Sequence, residues 1–272
     1  MKGIVLLTLA TALFLGVCAK KLHMEPVFKI TTTVGTIEVK LYAETSKHRA
    51  NFLKLVEMEF YDSVLFHRVI ADFMIQTGDP DSKNASPTAS LGTGDVGYTI
   101  PAEIVYPIYY HKKGALAAAR QGDQLNPEKA SSGCQFYIVQ GRKFTDAELD
   151  AMEKNNERKW ETKLFQEMLN TKQEEVKKYR LERNQTKLDA LRDSILTVVH
   201  KQLKEKQPHK FTAAQRSDYK TSGGTPHLDG DYTVFGEVIK GLEIVDQIAK
   251  TKTGKMDRPL EDIRIVGIEQ IH

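Results

Sequence analysis

The chain has 272 residues, 40% hydrophobic and 28% charged, an ordinary balance for one large or two modest soluble globular domains. Its formal net charge of +3 is too small to mark a nucleic-acid binder. Its eight histidines and two cysteines, Cys18 and Cys134, are scattered without the spacing of a zinc site, so no metal is expected.

Met1-Lys2 precedes an uncharged, mostly apolar run from Gly3 to Ala19, and Lys20-Lys21 follow. The run is short for a membrane span, which needs about 20 residues. A basic start and a short apolar core read as a secretory signal over residues 1–19. Leu15-Gly16-Val17-Cys18 resembles a bacterial lipobox, in which Cys18 would be lipidated and become the mature N-terminus. Val17 departs from that pattern, which normally has a smaller residue there. Lipidation, plain cleaved secretion and an uncleaved anchor stay open, and each places the body outside the cytoplasm, in the periplasm or on a membrane.

Val27 to Leu41 reads as a β-hairpin, with Phe28, Ile30 and Thr32 on one face, Ile37, Val39 and Leu41 likewise, and Gly35 in the turn. Thr45 to Glu59 reads as a helix capped by Thr45 or Ser46, with Ala50, Leu53 and Val56 along one face. Tyr61 to Asp79 is dominated by apolar residues yet contains Arg68 and Gln76. Read as a strand, Val64 to Ile70 puts Arg68 on a face with Phe66 and Ile70. Phe73 to Gln76 reads as a second strand, with Met74 and Gln76 on one face. An arginine among so many apolar residues is costly to bury unpaired, so it should line a cleft or tie down a loop.

Gly92 to Gly97 matches G-x-G-x-x-G, but a polar loop precedes it and Tyr98-Thr99-Ile100-Pro101 follows. A phosphate cradle needs a strand before and a helix after, so the glycines are read as shaping a tight surface loop. Gly114 to Arg120 is a run of small residues ending in a cation, which suits a groove receiving an extended peptide or simply a core element. Ser132 to Val139 reads as a strand with Gln135 and Tyr137 on one face and Cys134, Phe136 and Ile138 on the other. Cys134 is therefore expected to be an inert core thiol.

Residues 142–222 break the pattern, with no glycine, one proline and 19 Lys/Arg against 14 Asp/Glu. Thr145-Asp-Ala-Glu148 has the form of a capping box. Trp160, Leu164, Phe165, Met168 and Leu169 form one stripe at helical spacing; Leu188, Leu191, Ile195, Val198, Val199 and Leu203 form another. The two stripes should bury each other as a helical hairpin, with the polar stretch from Thr171 to Lys187 as its exposed tip and Pro208 ending its second helix. A helix from Leu242 to Ala249 and a strand from Ile263 to Ile268 close the chain.

Four motifs in order carry a resemblance: F-H-R-V-I with F-M-I-Q-T-G-D, G-Y-T-I-P-A-E-I, S-G-C-Q-F-Y-I and L-D-G-D-Y-T-V-F-G-E-V. Together they are similar to the cyclophilins, the peptidyl-prolyl cis–trans isomerases, of the bacterial secreted or lipoprotein type. The resemblance covers residues 27–141 and 223–271 and makes 142–222 a charged helical insertion. It implies a mainly β fold with helices, a closed antiparallel β-barrel capped by helices. It implies an enzyme without cofactor, assisting protein folding outside the cytoplasm as a monomer on proline-containing peptides and unfolded proteins.

The site follows from the same resemblance. Arg68 would donate to the prolyl nitrogen as it becomes pyramidal in the twisted amide, and it stays charged at any working pH. Phe73, Met74, Tyr137 and Leu228 would grip the proline ring, and Gln76 would orient Arg68 and the substrate carbonyl. Ala119, Arg120 and Gln135 would hold the peptide backbone. The catalytic set is thus Arg68, Phe73, Gln76 and Gln135. Substrate contacts come from Met74, Ala119, Arg120, Tyr137, His227, Leu228 and Tyr232. Three positions depart from the family pattern: Arg120 replaces an asparagine, His227 a tryptophan that helps bind cyclosporin, and Tyr232 a histidine. Weaker cyclosporin binding is implied, while Arg68 is retained. The competing reading is a binding module for proline peptides, or a chaperone, that acts mainly through the insertion. The insertion itself is either a passive decoration or a second site holding unfolded clients near Arg68.

Overall fold

Alternating apolar residues do form the expected hairpin: β1 (Val27–Thr32) pairs antiparallel with β2 (Gly35–Leu41), burying Phe28, Ile30, Ile37 and Val39 completely. Gly35 sits at φ +148°, and a Cβ there would lie 2.4 Å from Ile244 Cδ1, so only glycine fits this turn. The computed structural model describes residues 25–207 and 210–272, so the expected signal over 1–19 and lipidation at Cys18 lie outside the described residues. No described helix is long and apolar enough to cross a membrane.

Eight strands make one antiparallel sheet. The remaining six are β3 (Arg68–Ile70), β4 (Met74–Thr77), β6 (Ala115–Ala118), β8 (Phe136–Val139), β9 (Val234–Lys240) and β10 (Ile265–Gln270). Their spatial order is β10-β1-β2-β9-β6-β8-β4-β3, and β5 (Thr99–Ile100) pairs separately with β7 (Ser131–Ser132). Register shifts interrupt the β1–β10, β2–β9 and β6–β9 ladders. Such bulges increase local twist, and the sheet curls strongly.

The expected closed barrel is corrected to a half-barrel, because no strand ladder joins the edge strands β3 and β10. β3 has only three residues and pairs with β4 alone. The segments leading into the two edges meet instead at an isolated Leu65–Arg264 bridge, and Phe66 N–H donates to Ile263 O at 2.9 Å. This short β3 also overturns the Phe66–Arg68–Ile70 face. Phe66 lies with Val69 in the main core, while Ile70 packs on the opposite side of the sheet.

That main core covers one face of the sheet, and α1 (Ser46–Glu57) and α6 (Leu242–Ala249) pack into it through Phe52, Leu55, Val245 and Ile248. Free Cys134 is buried there. Burial pushes its thiol up to about 11, which keeps it an unreactive thiol at neutral pH. In α1 the buried face runs through His48 rather than Ala50, which is exposed. Neither Thr45 nor Ser46 caps this helix by its side chain. The Glu103 carboxylate accepts the Lys47 and His48 backbone N–H groups instead, from more than fifty residues away in the chain.

Four helices form the segment between β8 and β9: α2 (Asp146–Thr171), α3 (Gln173–Leu181), α4 (Gln185–Lys206) and α5 (Ala213–Thr221). The Thr145–Glu148 capping box is present. Trp160, Leu164, Phe165, Met168 and Leu169 of α2 pack on Leu191, Ile195, Val199 and Leu203 of α4, as the two stripes require. Leu188 and Val198 are not part of that core. The polar stretch is helical as α3, which buries no residue, in keeping with an exposed tip. Glu174 and Glu175 in its first turn and Lys178 and Arg180 in its last complement the helix dipole.

α5 has no apolar stripe to announce it; it is helical because Tyr219 is fully buried with Phe144, Leu149 and Phe211, against Tyr110 of the body. The buried Glu153 fastens α2 to α5. Its Oε1 accepts from Phe211 N–H at 3.1 Å and Arg216 Nη1 at 2.9 Å, and its Oε2 from Lys210 Nζ at 2.8 Å.

Candidate active site

The opposite face of the sheet carries a second apolar cluster, built from Tyr42, Met74, Ala115, Ala117, Tyr137, Val139 and Val234. Phe73, Leu228 and Tyr232 pack partly buried against it. Strand pairing explains this assembly. Arg68 faces Gln76, Gln76 faces Tyr137, Tyr137 faces Ala117, and Ala117 faces Val234, so one row of side chains crosses five strands on one face. Met74 opposite Val139 and Ile70 forms the adjacent row. The alanines of β6 leave room for the Tyr137 ring beside them. The expected Gln135/Tyr137 face is thus the outer face of β8, and Phe136 and Ile138 turn into the main core.

At the polar end of the row the Arg68 side chain is 42% exposed, with its Nε 3.5 Å from Asp257 Oδ2. Met256 and Asp257 both have left-handed backbone, at φ 58° and 59°. That geometry, unfavourable for non-glycine residues, presents the Asp257 carboxylate to the guanidinium. Among the described residues Gln76 makes no hydrogen bond to Arg68. Its Nε2 donates to Gln135 Oε1 at 3.0 Å, so the expected direct orientation of Arg68 by Gln76 is replaced by pairing with Asp257. Gln135 in turn donates from Nε2 to Gly92 O at 3.1 Å and Gly94 O at 2.8 Å. The buried Asp79 accepts from Gly92 N–H, and a Cβ on Gly94 would fall 2.1 Å from Asp79 Oδ1. The glycine-rich loop is therefore pinned to the site by two side chains, and Gly94 makes room for Asp79.

A cleft of about 1040 Å³ opens here, lined among others by Arg68, Gln76, Arg120, Gly92, Met256 and Asp257. At the other end His227 stands over Phe73, ring centroids 5.4 Å apart. Arg120 does not reach freely into the groove. Its guanidinium stacks on Tyr232 at 4.4 Å, donates to Asp231 O at 2.8 Å and pairs with Asp123 at 2.7 Å. Tyr232 meets Tyr137 edge-on at 6.0 Å. Ala119 N–H already donates to Gln135 O at 3.0 Å, and its carbonyl accepts from Ser132 N–H at 2.8 Å.

All the sequence-predicted body residues are thereby gathered on one face. Asp257 and Asp79 were not anticipated: a loop carboxylate reaching Arg68 from 189 positions away leaves no local pattern.

An apolar wall with a guanidinium at its edge and an unreactive cysteine behind it is equipped to bind and twist an amide rather than to attack one. This is an arrangement for isomerisation. The comparisons agree. The family model described as cyclophilin type peptidyl-prolyl cis-trans isomerase/CLD matches residues 27–155 and 138–270, so the chain belongs to the cyclophilin family of peptidyl-prolyl cis–trans isomerases. A Streptococcus pyogenes protein provisionally described as a bifunctional phosphatase/peptidyl-prolyl cis-trans isomerase is 30% identical over 91% of this chain, which spans only 39% of that protein. A Staphylococcus saprophyticus protein, provisionally described as a peptidyl-prolyl cis-trans isomerase, is 29% identical over 88% of each chain. The crystal structure of a Cryptosporidium parvum cyclophilin-type isomerase superposes with a TM-score of 0.52 at 19% identity, covering 91% of this chain and 98% of that one. A second structure of that protein, in the presence of the dipeptide Ala-Pro, has a TM-score of 0.50 and covers 90% and 98%.

His67, next to Arg68, is buried, and among the described residues neither of its ring nitrogens is hydrogen-bonded. Burial, only partly offset by Asp79, lowers its pKa from the ordinary 6.5 to about 4. The unfolded chain therefore binds more protons than the native one between those values, and stability rises with pH across that window. The unfolding free energy is expected to fall as pH drops from about 6.5 to about 4. Urea titrations at stepped pH should show that slope reduced in His67→Phe, and an unchanged slope would contradict the assignment.

Proposed function

We propose that this isomerase acts on Xaa–Pro bonds of polypeptides folding outside the cytoplasm, as a monomer. The Arg68 guanidinium at the edge of the Phe73–Met74–Tyr137–Leu228 wall carries the reading. A proline ring seated on that wall brings its nitrogen to the polar end of the row. The barrier to peptide rotation, roughly 18–20 kcal/mol, reflects partial double-bond character of the C–N bond. Twisting localises a lone pair on nitrogen, and a hydrogen bond from Arg68 to it stabilises the twisted form over both planar ones. Gln135, locked by Gln76, Gly92 and Gly94, offers a fixed amide to the peptide backbone, beside Ala119 and the Arg120–Tyr232 stack. His227 closes the pocket rim over Phe73. The reaction makes and breaks no covalent bond and so calls for no cofactor.

The extracytoplasmic part of the reading rests on the basic start and the apolar run Gly3 to Ala19, and membrane attachment on Cys18. Two measurements test the proposal. The full chain should speed cis–trans exchange of a blocked Ala-Pro tetrapeptide, followed by NMR. The same chain in a bacterial host should appear outside the cytoplasm, with a lipid label lost in Cys18→Ala. Absence of catalysed exchange overturns the activity, and an uncleaved cytoplasmic product overturns the location.

A further inference from the structure

Tyr137 forms part of the pocket wall, yet its hydroxyl points out of the back of it. That hydroxyl lies 3.0 Å from His111 Nε2. His111 is fully buried, and its Nδ1 lies 3.0 Å from Asp229 Oδ1, which also accepts the His111 backbone N–H at 2.9 Å. The other carboxylate oxygen, Asp229 Oδ2, accepts from the Tyr219 hydroxyl at 2.5 Å. The Asp229 side chain is only 4% exposed and Tyr219 not at all, so water does not compete for these contacts. Tyr219 belongs to α5, in the helical segment between β8 and β9, whereas the other three belong to the body.

The proton pattern in this line is determined by its ends. Burial raises the Tyr219 and Tyr137 hydroxyls well above the ordinary value for tyrosine, so both stay protonated and can donate. With Asp229 accepting as a carboxylate and a neutral His111 ring, Nδ1 donates to Asp229 and Nε2 accepts from Tyr137. We propose that Tyr219 is a positioning residue for the pocket: through Asp229 and His111 it holds the Tyr137 ring, making proline binding depend on the docked α5 helix. The proposal rests on the pocket assigned above and adds a role for the inserted segment. It differs from holding clients on an outer surface, because the coupling runs through the interior. The docking of α5 is itself secured by Glu153 and by the Phe144–Leu149–Phe211 cluster, which ties the pocket wall to the integrity of the whole helical base.

The test uses the full chain and dissociation constants for the blocked Ala-Pro tetrapeptide, so it can be read whether or not turnover occurs. Tyr219→Phe keeps the ring and removes the donor. It is expected to weaken binding about three- to tenfold, only part of what the bond itself is worth because the Tyr219 ring stays packed, with kcat within about twofold of wild type. Tyr137→Phe is expected to weaken binding similarly. Because both act on one wall, the double variant should bind within about twofold of the weaker single variant. The ¹⁵N resonances of the His111 ring should show the Nδ1–H tautomer in the wild type and shift in Tyr219→Phe. Wild-type affinity in Tyr219→Phe, or losses that multiply in the double variant, would overturn the proposal. So would an Nε2–H tautomer in the wild type, a measurement that needs no variant to fold. Peptide binding without catalysed exchange would count against the roles given to Arg68 and leave the relay to be judged on these constants.

Discussion

Arg68→Ala is expected to lower kcat/KM for an Xaa–Pro peptide about 100- to 1000-fold without unfolding the protein. One donor aimed at charge that develops only in the transition state is worth about 2.7–4 kcal/mol. The fold should be indifferent to the change. The Arg68 side chain is 42% exposed, and its ion pair with Asp257, at 3.5 Å, is itself half-exposed. Such pairs contribute about 0–1 kcal/mol. Arg68→Lys sharpens the comparison, since it retains the charge but loses the planar fork, and it too should be severely impaired. Peptide affinity should change far less than turnover, because the pocket wall remains. The measurement is NMR exchange at matched fractional saturation, with a thermal melt to establish folding. Near-wild-type turnover in a folded Arg68→Ala protein would remove Arg68 from the mechanism.

The largest stability effect is expected at Glu153. Its carboxylate is 6% exposed and has three partners: Lys210, Arg216 and the Phe211 backbone N–H. Glu153→Ala leaves a buried N–H without an acceptor and two cations without their shared anion, costing about 2–3 kcal/mol. Lys210 is half-exposed and can recover water, which keeps the figure below that for a fully buried triad. The damage should be local at first, with faster hydrogen exchange in α5 and the start of α2 and little change in β1 and β2. Burial alone would raise the Glu153 carboxyl, but Lys210, the Phe211 N–H and Arg216 outweigh it and hold it below the ordinary value of 4.5. Its contribution is therefore complete above that value and is lost as pH falls through the depressed one. Exchange in α5 that Glu153→Ala leaves unchanged would show that the carboxylate does not secure this helix.

Local periodicity was enough for the elements whose partners are near in sequence. The 27–41 hairpin, the Leu242–Ala249 helix and the α2–α4 pairing were legible because each buries one apolar face at a regular spacing. The residues expected in the site lie in ordered motifs on β3, β4 and β8 and in the loop before β9, and strand pairing brings them to one face. What the sequence could not show depends on closure in three dimensions. The sheet remains a half-barrel because its edge strands β3 and β10 share no ladder, a matter of where the two ends of the curled sheet come to lie. α5 carries no stripe, and its Tyr219 is buried by Phe144, Leu149 and Phe211 from elsewhere in the segment and by Tyr110 of the body. The Arg68–Asp257 pair and the Tyr219–Asp229–His111–Tyr137 line join residues far apart in the chain, and polar contacts of that kind leave no period for a sequence to display.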